Sequence, residues 1–223
     1  MQKFDTPTPV SAVLDIPAGH IRLIAADRAD TTVEVLPSDA ARSRDVKAAE
    51  RIEVVYGDGV LRITAPEAKN RILGDSGSVE VTVQLPAGSR VEAKAALAEL
   101  RGVGRLGEVA FEGAQATVKL DETAGARLTV QAGDITVGRL GGAAEISTLK
   151  GDLTVTEAVR GTVALDTRHG DISVGAARGV SAALDAGTGH GRIDNGLKNA
   201  DGADAPLRIT ATTSYGDITA RSL

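Results

Sequence analysis

Three aspartates are placed where they could bind a cation. Asp134, Asp152 and Asp171 each follow a glycine and precede an aliphatic residue, in Gly133-Asp134-Ile135, Gly151-Asp152-Leu153 and Gly170-Asp171-Ile172. If such units stack, their carboxylates form a column spaced by about 4.8 Å, one strand separation. Calcium is held by carboxylate oxygens, and some repeat proteins present them on Asp-rich turns. Like charges at that spacing repel by roughly 0.9 kcal/mol in water and several times more at a dielectric near 20. A buried column therefore demands a cation, and an exposed one does not. His169 and His190 precede the glycine of their units, and with Asp171 they outline a second metal candidate.

The same residues have a simpler use. Glycine supplies a positive φ at a turn, and aspartate caps the turn through its own backbone. The motif returns as Gly216-Asp217-Ile218, and a variant, Gly191-Arg192-Ile193, puts Arg192 where the others carry Asp, able to neutralise its neighbours. We read Gly133, Asp134, Gly151, Asp152, Gly170, Asp171, Gly191, Arg192, Gly216 and Asp217 as turn residues. The other occupants of the histidine position, Ala132, Lys150 and Tyr215, mark a variable, solvated corner. No catalytic residue and no cofactor is assigned.

Other motifs carry less. Gly74-Asp75-Ser76-Gly77 copies the nucleophile loop of chymotrypsin-like proteases, but a triad needs its partners in place, and upstream only His20 is available. Gly102-Val103-Gly104-Arg105-Leu106-Gly107 fits a dinucleotide fingerprint without the strand-to-helix transition that holds phosphate, so it is read as a Gly-rich bend. Absence of cysteine excludes disulfides, thiolate metal sites and cysteine catalysis. With 25 Lys+Arg against 30 Asp+Glu and no cationic cluster, nucleic acid is not an expected partner. Aromatic stacking platforms are nearly absent, since Phe4, Tyr56, Phe111 and Tyr215 are the whole set.

The elements that position these residues recur. The corner glycines at 133, 151, 170, 191 and 216 are spaced by 18, 19, 21 and 25 residues, the last step lengthened by a turn-rich insertion over 195–206. After each corner comes a short alternating strand, as in Ile135-Thr136-Val137 or Ile172-Ser173-Val174. A second strand comes before it: Ala126/Leu128/Val130, Ala144/Ile146/Thr148, Val163/Leu165/Thr167, Ala182/Leu184/Ala186 and Leu207/Ile209/Ala211. Such a unit cannot bury its own inner face. Stacking one on the next makes a continuous aliphatic core, a β-solenoid. An immunoglobulin-like sandwich has similar strand lengths but no need for one residue type at every turn. The outward row Thr136, Thr154, Ser173 and Thr219 is a polar face able to form cross-strand hydrogen bonds; as an ice-binding ladder it would need uncharged paired ranks, whereas the next rank is Asp.

Residues 1–90 carry an older-looking repeat. Val10-x-Ala12-x-Leu14-x-Ile16-Pro17-Ala18-Gly19 matches Val79-x-Val81-x-Val83-x-Leu85-Pro86-Ala87-Gly88, each a strand stopped by Pro and turned by Gly. Between them strands are predicted over 32–36, 52–56 and 60–64, the last two joined by a Gly57-Asp58-Gly59 hairpin. Residues 38–49, with a helical turn, and 67–78 read as loops. No linker separates 1–90 from 91–223, so 1–223 is read as one continuous domain.

The (Val/Leu)-x-(Ile/Leu)-Pro-Ala-Gly strands and the serial Gly-Asp-(Ile/Leu)-x-Val units resemble the bacterial "putative adhesin" β-strand-repeat family, also called the Toastrack domain, over nearly the whole chain. That resemblance implies a right-handed, β-helix-like stack and a binding or assembly platform, often found beside membrane segments in envelope-stress systems.

The expected function is a non-enzymatic scaffold that presents a rigid, flat β surface to a protein partner. The last strand, 213–223, is expected to form an uncovered end that invites self-association. A polysaccharide-active β-helix enzyme and an extracellular adhesin are the alternatives. No signal-peptide pattern opens the chain and no run reaches the ~18–20 apolar residues of a membrane span, so a cytoplasmic location without direct membrane insertion is expected.

Overall fold

A computed structural model describes residues 1–66 and 77–223. Among them the chain is nearly all β. In order come β1 (Gln2–Asp5), β2 (Ser11–Asp15), β3 (Ala18–Ala26), β4 (Asp30–Pro37), helix α1 (Ser43–Arg51), β5 (Glu53–Gly57), β6 (Val60–Thr64), β7 (Val79–Pro86) and the long, bent β8 (Arg90–Ala132). Then follow β9 (Ile135–Leu140), β10 (Ala144–Lys150), β11 (Leu153–Ala158), β12 (Gly161–His169), β13 (Ile172–Ala176), β14 (Ala182–His190), β15 (Ile193–Gly196), β16 (Leu207–Tyr215) and β17 (Ile218–Ser222). A single 3-10 turn, Gly202–Asp204, lies in the 195–206 insertion. The described strands join in one large mixed sheet.

Alternation builds these strands, because side chains two apart share a face. In β12, Val163, Leu165 and Thr167 are buried while Asp166 and Arg168 face out. The buried aliphatics of successive strands merge into one core, with Phe111 as its fully buried ring. Among the described residues three pairings are antiparallel: β1 with β4, β4 with β7, and β5 with β6. The Gly57-Asp58-Gly59 hairpin is present as read. Asp58 (φ 51°) and Gly59 (φ 76°) both take the positive φ of a two-residue turn that matches strand twist.

The repeats pair in parallel, forming two ladders. One runs β8–β10–β12–β16–β14 and the other β9–β11–β13–β17–β15. Each repeat thus supplies one rung to each ladder, joined through its glycine corner. β8 ties both ladders to the first 90 residues, pairing with β2 and β3 as well as with β9 and β10.

Several expectations change. The last repeat is not the last rung: β16 and β17 lie between β12/β13 and β14/β15, so the free end is built by residues 182–196, not 213–223. The register of two strands moves by two residues, since Leu184 and Ile209 align with Val163, and Thr188 and Thr213 with Thr167. Residues 43–51 form a full helix rather than a turn in a loop, its Ala48 and Ala49 packed on the core. Gly102 to Gly107 lies inside the bent β8: Gly102 and Gly104 pair with Leu23 and Ala25, and that pairing ends at Gly104, whose φ is +79°. The two Pro-Ala-Gly strands do not stack on each other: β2 pairs with β6 and β8, β7 with β3 and β4. Of the Gly74-Asp75-Ser76-Gly77 motif, the first three residues lie outside the described residues, as does most of the 67–78 loop.

Candidate functional site

The glycine-aspartate corner is where sequence and geometry meet most closely. Gly151 and Gly170 have φ of +144° and +154°, a region L side chains rarely enter. Space forbids a side chain as well: a Cβ on Gly170 would collide with the Gly151 carbonyl, and one on Gly151 with that of Gly133. The backbone must be bare for neighbouring rungs to approach.

Each aspartate then reaches the adjacent rung. Asp152 N–H donates to Asp134 Oδ1 (2.9 Å), Asp171 N–H to Asp152 Oδ1 (2.8 Å), Asp217 N–H to Asp171 Oδ1 (2.8 Å) and Arg192 N–H to Asp217 Oδ1 (2.8 Å). The column is exposed, so like charges are screened, and one oxygen of each carboxylate is committed to a backbone donor. Arg192 ends it. Its guanidinium lies 2.9 Å from Asp217 Oδ2, and these hydrogen bonds hold the Asp217 carboxyl below the usual carboxylate range and push the Arg192 guanidinium up.

A second row was not recognised in the sequence. Thr167 and Thr213 hydroxyls donate to the Gly151 and Gly170 carbonyls (both 3.1 Å), and Thr188 to Gly216 (2.9 Å). Thr148 makes a longer contact to Gly133 (3.5 Å). The signal was a threonine three residues before each of four corner glycines, which the two-residue register error had hidden.

The histidines do not meet. Tyr215 lies between them, stacked on His169 (centroids 5.1 Å, 7° between planes) and on His190 (4.7 Å, 9°). The insertion of β16 between β12 and β14 causes this, so His169 and His190 cannot share an ion with Asp171 as outlined. Among the described residues no group of three or more His, Asp or Glu side chains is placed to hold a metal. His20 lies beside Glu99, 3.7 Å from its carboxylate.

The outer faces are polar and in register. Thr136, Thr154, Ser173 and Thr219 stand above one another, with Asp194 at the free end. On other faces ion pairs link adjacent rungs: Lys94–Glu112 (3.3 Å), Arg127–Glu145 (3.5 Å), Arg101–Asp121 (2.6 Å) and Arg139–Glu157. Most are well exposed, each worth at most about 1 kcal/mol. A shallow groove runs over Ala126, Ala144 and Ala164, rimmed by Arg127 and Glu145. At the start of the chain, hydrogen bonds from Arg28 and then Lys3 lower Asp30 to a pKa of about 2. No described helix is long and apolar enough to cross a membrane.

No family model matches the chain, and no curated protein does. Solved structures are similar over its full length. A putative cell adhesion protein from Clostridium sporogenes shares 13% identity, covering 100% of this chain and 98% of that one, with a TM-score of 0.43. A putative adhesin from Parabacteroides distasonis shares 15%, covering 100% and 95%, at 0.42. One from Bacteroides fragilis shares 11%, covering 100% and 95%, at 0.34.

Proposed function

We propose that the chain is a non-enzymatic scaffold, a β-solenoid whose flat outer face binds a protein partner. The observation that carries this reading is the shared register of the parallel ladders beside their glycine corners. It sets like residues above one another, inside as an aliphatic column and outside as the row Thr136, Thr154, Ser173 and Thr219. The corner beside this face carries a hydrogen bond from each rung to the next, so the backbone is ordered before contact and binding costs little conformational entropy. Short hydroxyl side chains leave it flat and able to donate and accept.

Affinity capture from the native host tests this. The wild-type chain and a Thr154→Arg/Ser173→Arg variant, equally folded by circular dichroism, are compared. A protein held by the wild type and lost by the variant supports the reading. Equal capture by both, or turnover of an acidic polysaccharide abolished by Asp171→Ala, overturns it.

A further inference from the structure

The free end of the ladders exposes what every other rung covers. β14 and β15 pair on one side only, with β16 and β17. Ile193 is 45% exposed, whereas Ile135, Leu153, Ile172 and Ile218 in the same column are at most 1% exposed. The N–H groups of those four donate to the carbonyls of Asp152, Asp171, Asp217 and Arg192 in the adjoining rung. Ile193 N–H has no acceptor among the described residues. In an extended strand the N–H and C=O of one residue point the same way, so the Ile193 carbonyl faces outward too.

The flanking residues are self-complementary. Arg192 and Asp194 are exposed on either side of Ile193, on the face opposite the buried column. In an antiparallel pair, directly opposed residues i and j keep a constant sum and share a face. Centred on Ile193, such a pair sets Arg192 of each copy opposite Asp194 of the other. The insertion crosses the far part of this end, where Ala182 N–H donates to the Lys198 carbonyl, and leaves the Ile193 side uncovered. The opposite end is built from the antiparallel pairs β1–β4 and β5–β6, which do not repeat this edge. A two-fold, like-with-like contact therefore fits better than head-to-tail growth.

We propose that two copies of this chain associate through β15, antiparallel about Ile193. The two Ile193 residues exchange N–H···O=C bonds, their side chains cover one another, and each Arg192, held to Asp217 through Nε and one terminal nitrogen, turns its other terminal nitrogen to Asp194 of the other copy. The proposal names a second copy as a partner and rests on the stacked-rung reading above.

Sedimentation velocity across about a hundredfold range of protein concentration tests it, because so small a contact gives a micromolar or weaker dimer. The wild type is expected to shift from monomer to dimer. Asp194→Arg sets like charges opposite Arg192 twice and weakens the dimer by about tenfold or more. Ile193→Pro deletes an N–H that bonds nothing in the monomer and weakens it similarly. Circular dichroism confirms that both variants remain folded. A wild type that stays monomeric throughout, or a dimer indifferent to both substitutions, overturns the proposal. Either result leaves the Thr154→Arg/Ser173→Arg capture comparison to judge the scaffold reading separately.

Discussion

Arg192 engages both carboxylate oxygens of Asp217, its backbone N–H donating to Oδ1 at 2.8 Å and its guanidinium reaching Oδ2 at 2.9 Å. This contact fits the order in which the rungs are stacked. Every interior aspartate accepts an N–H from the next rung, so an acceptor is needed everywhere except at the end. In sequence order Arg192 would sit inside, and Asp217 N–H would find no carboxylate. Arginine suits only the terminal position.

The first prediction concerns acid. Arg192 depresses the Asp217 carboxyl, and Arg28 with Lys3 holds Asp30 at about 2. A carboxylate whose folded pKa lies below its unfolded value of about 3.9 stabilises the fold above that value. That stability is lost as pH falls through the folded pKa. Melting temperature is therefore expected to drop from pH 4 toward pH 2, and Asp30→Asn to flatten that limb.

Asp171 separates turn chemistry from metal binding. Asp171→Asn keeps an oxygen to accept Asp217 N–H and should melt near the wild type. Asp171→Ala removes the acceptor and should cost about 1 kcal/mol. Calcium should leave the wild-type melting temperature unchanged. A calcium-dependent rise abolished equally by Asn and Ala would restore the cation column.

The corner glycines give a graded test. Gly170→Ala forces a Cβ against the Gly151 carbonyl at φ +154° and should cost about 3 kcal/mol or more in chemical denaturation. Gly179 also has a positive φ, +75°, but open space around it. Its alanine variant should cost only about 1–2 kcal/mol.

Truncation tests the position of the last repeat. Removing 207–223 would delete an interior rung, with the buried Leu207, Ile209 and Ile218, and part β12 from β14. The shortened chain should lose its cooperative thermal transition. A transition close to that of the full chain would mean that these residues form a dispensable end.

How much could be read in advance depends on where the information lies. The corners were legible because Gly151 and Gly170 answer to local sterics, and the Asp58-Gly59 hairpin because its turn needs two positive φ values. Rung order was not. Residues 182–196 and 207–223 carry the same motif, and what separates them acts between rungs: the Arg192–Asp217 contact, and the buried Leu207, Ile209 and Ala220 of the inner rung against Ala182, Leu184 and Asn195 at the end. His169 and His190 looked adjacent for that reason, until Tyr215 came between them. Helix α1 was obscured by its polar sequence: Ala48 and Ala49 are its apolar contacts with the core, and its buried residue is Asp45, which accepts the Ser78 N–H at 3.0 Å. Gly104 of β8 was legible as a bend for the same reason as the corners: its φ is +79° and its backbone passes against the Ala25 carbonyl of β3.

Engineered disulfides test the rung order most directly, because the chain has no cysteine of its own. Ser173 and Thr219 are register partners, as are Thr219 and Asp194, whereas Ser173 and Asp194 stand two strand spacings apart. A disulfide needs Cα atoms within about 7 Å, and two spacings come to about 9.6 Å. Under mild oxidation, intramolecular bonds should form in Ser173→Cys/Thr219→Cys and Thr219→Cys/Asp194→Cys, and not in Ser173→Cys/Asp194→Cys. Ready bonding of the last pair, with none in the first, would contradict the insertion of the C-terminal strands.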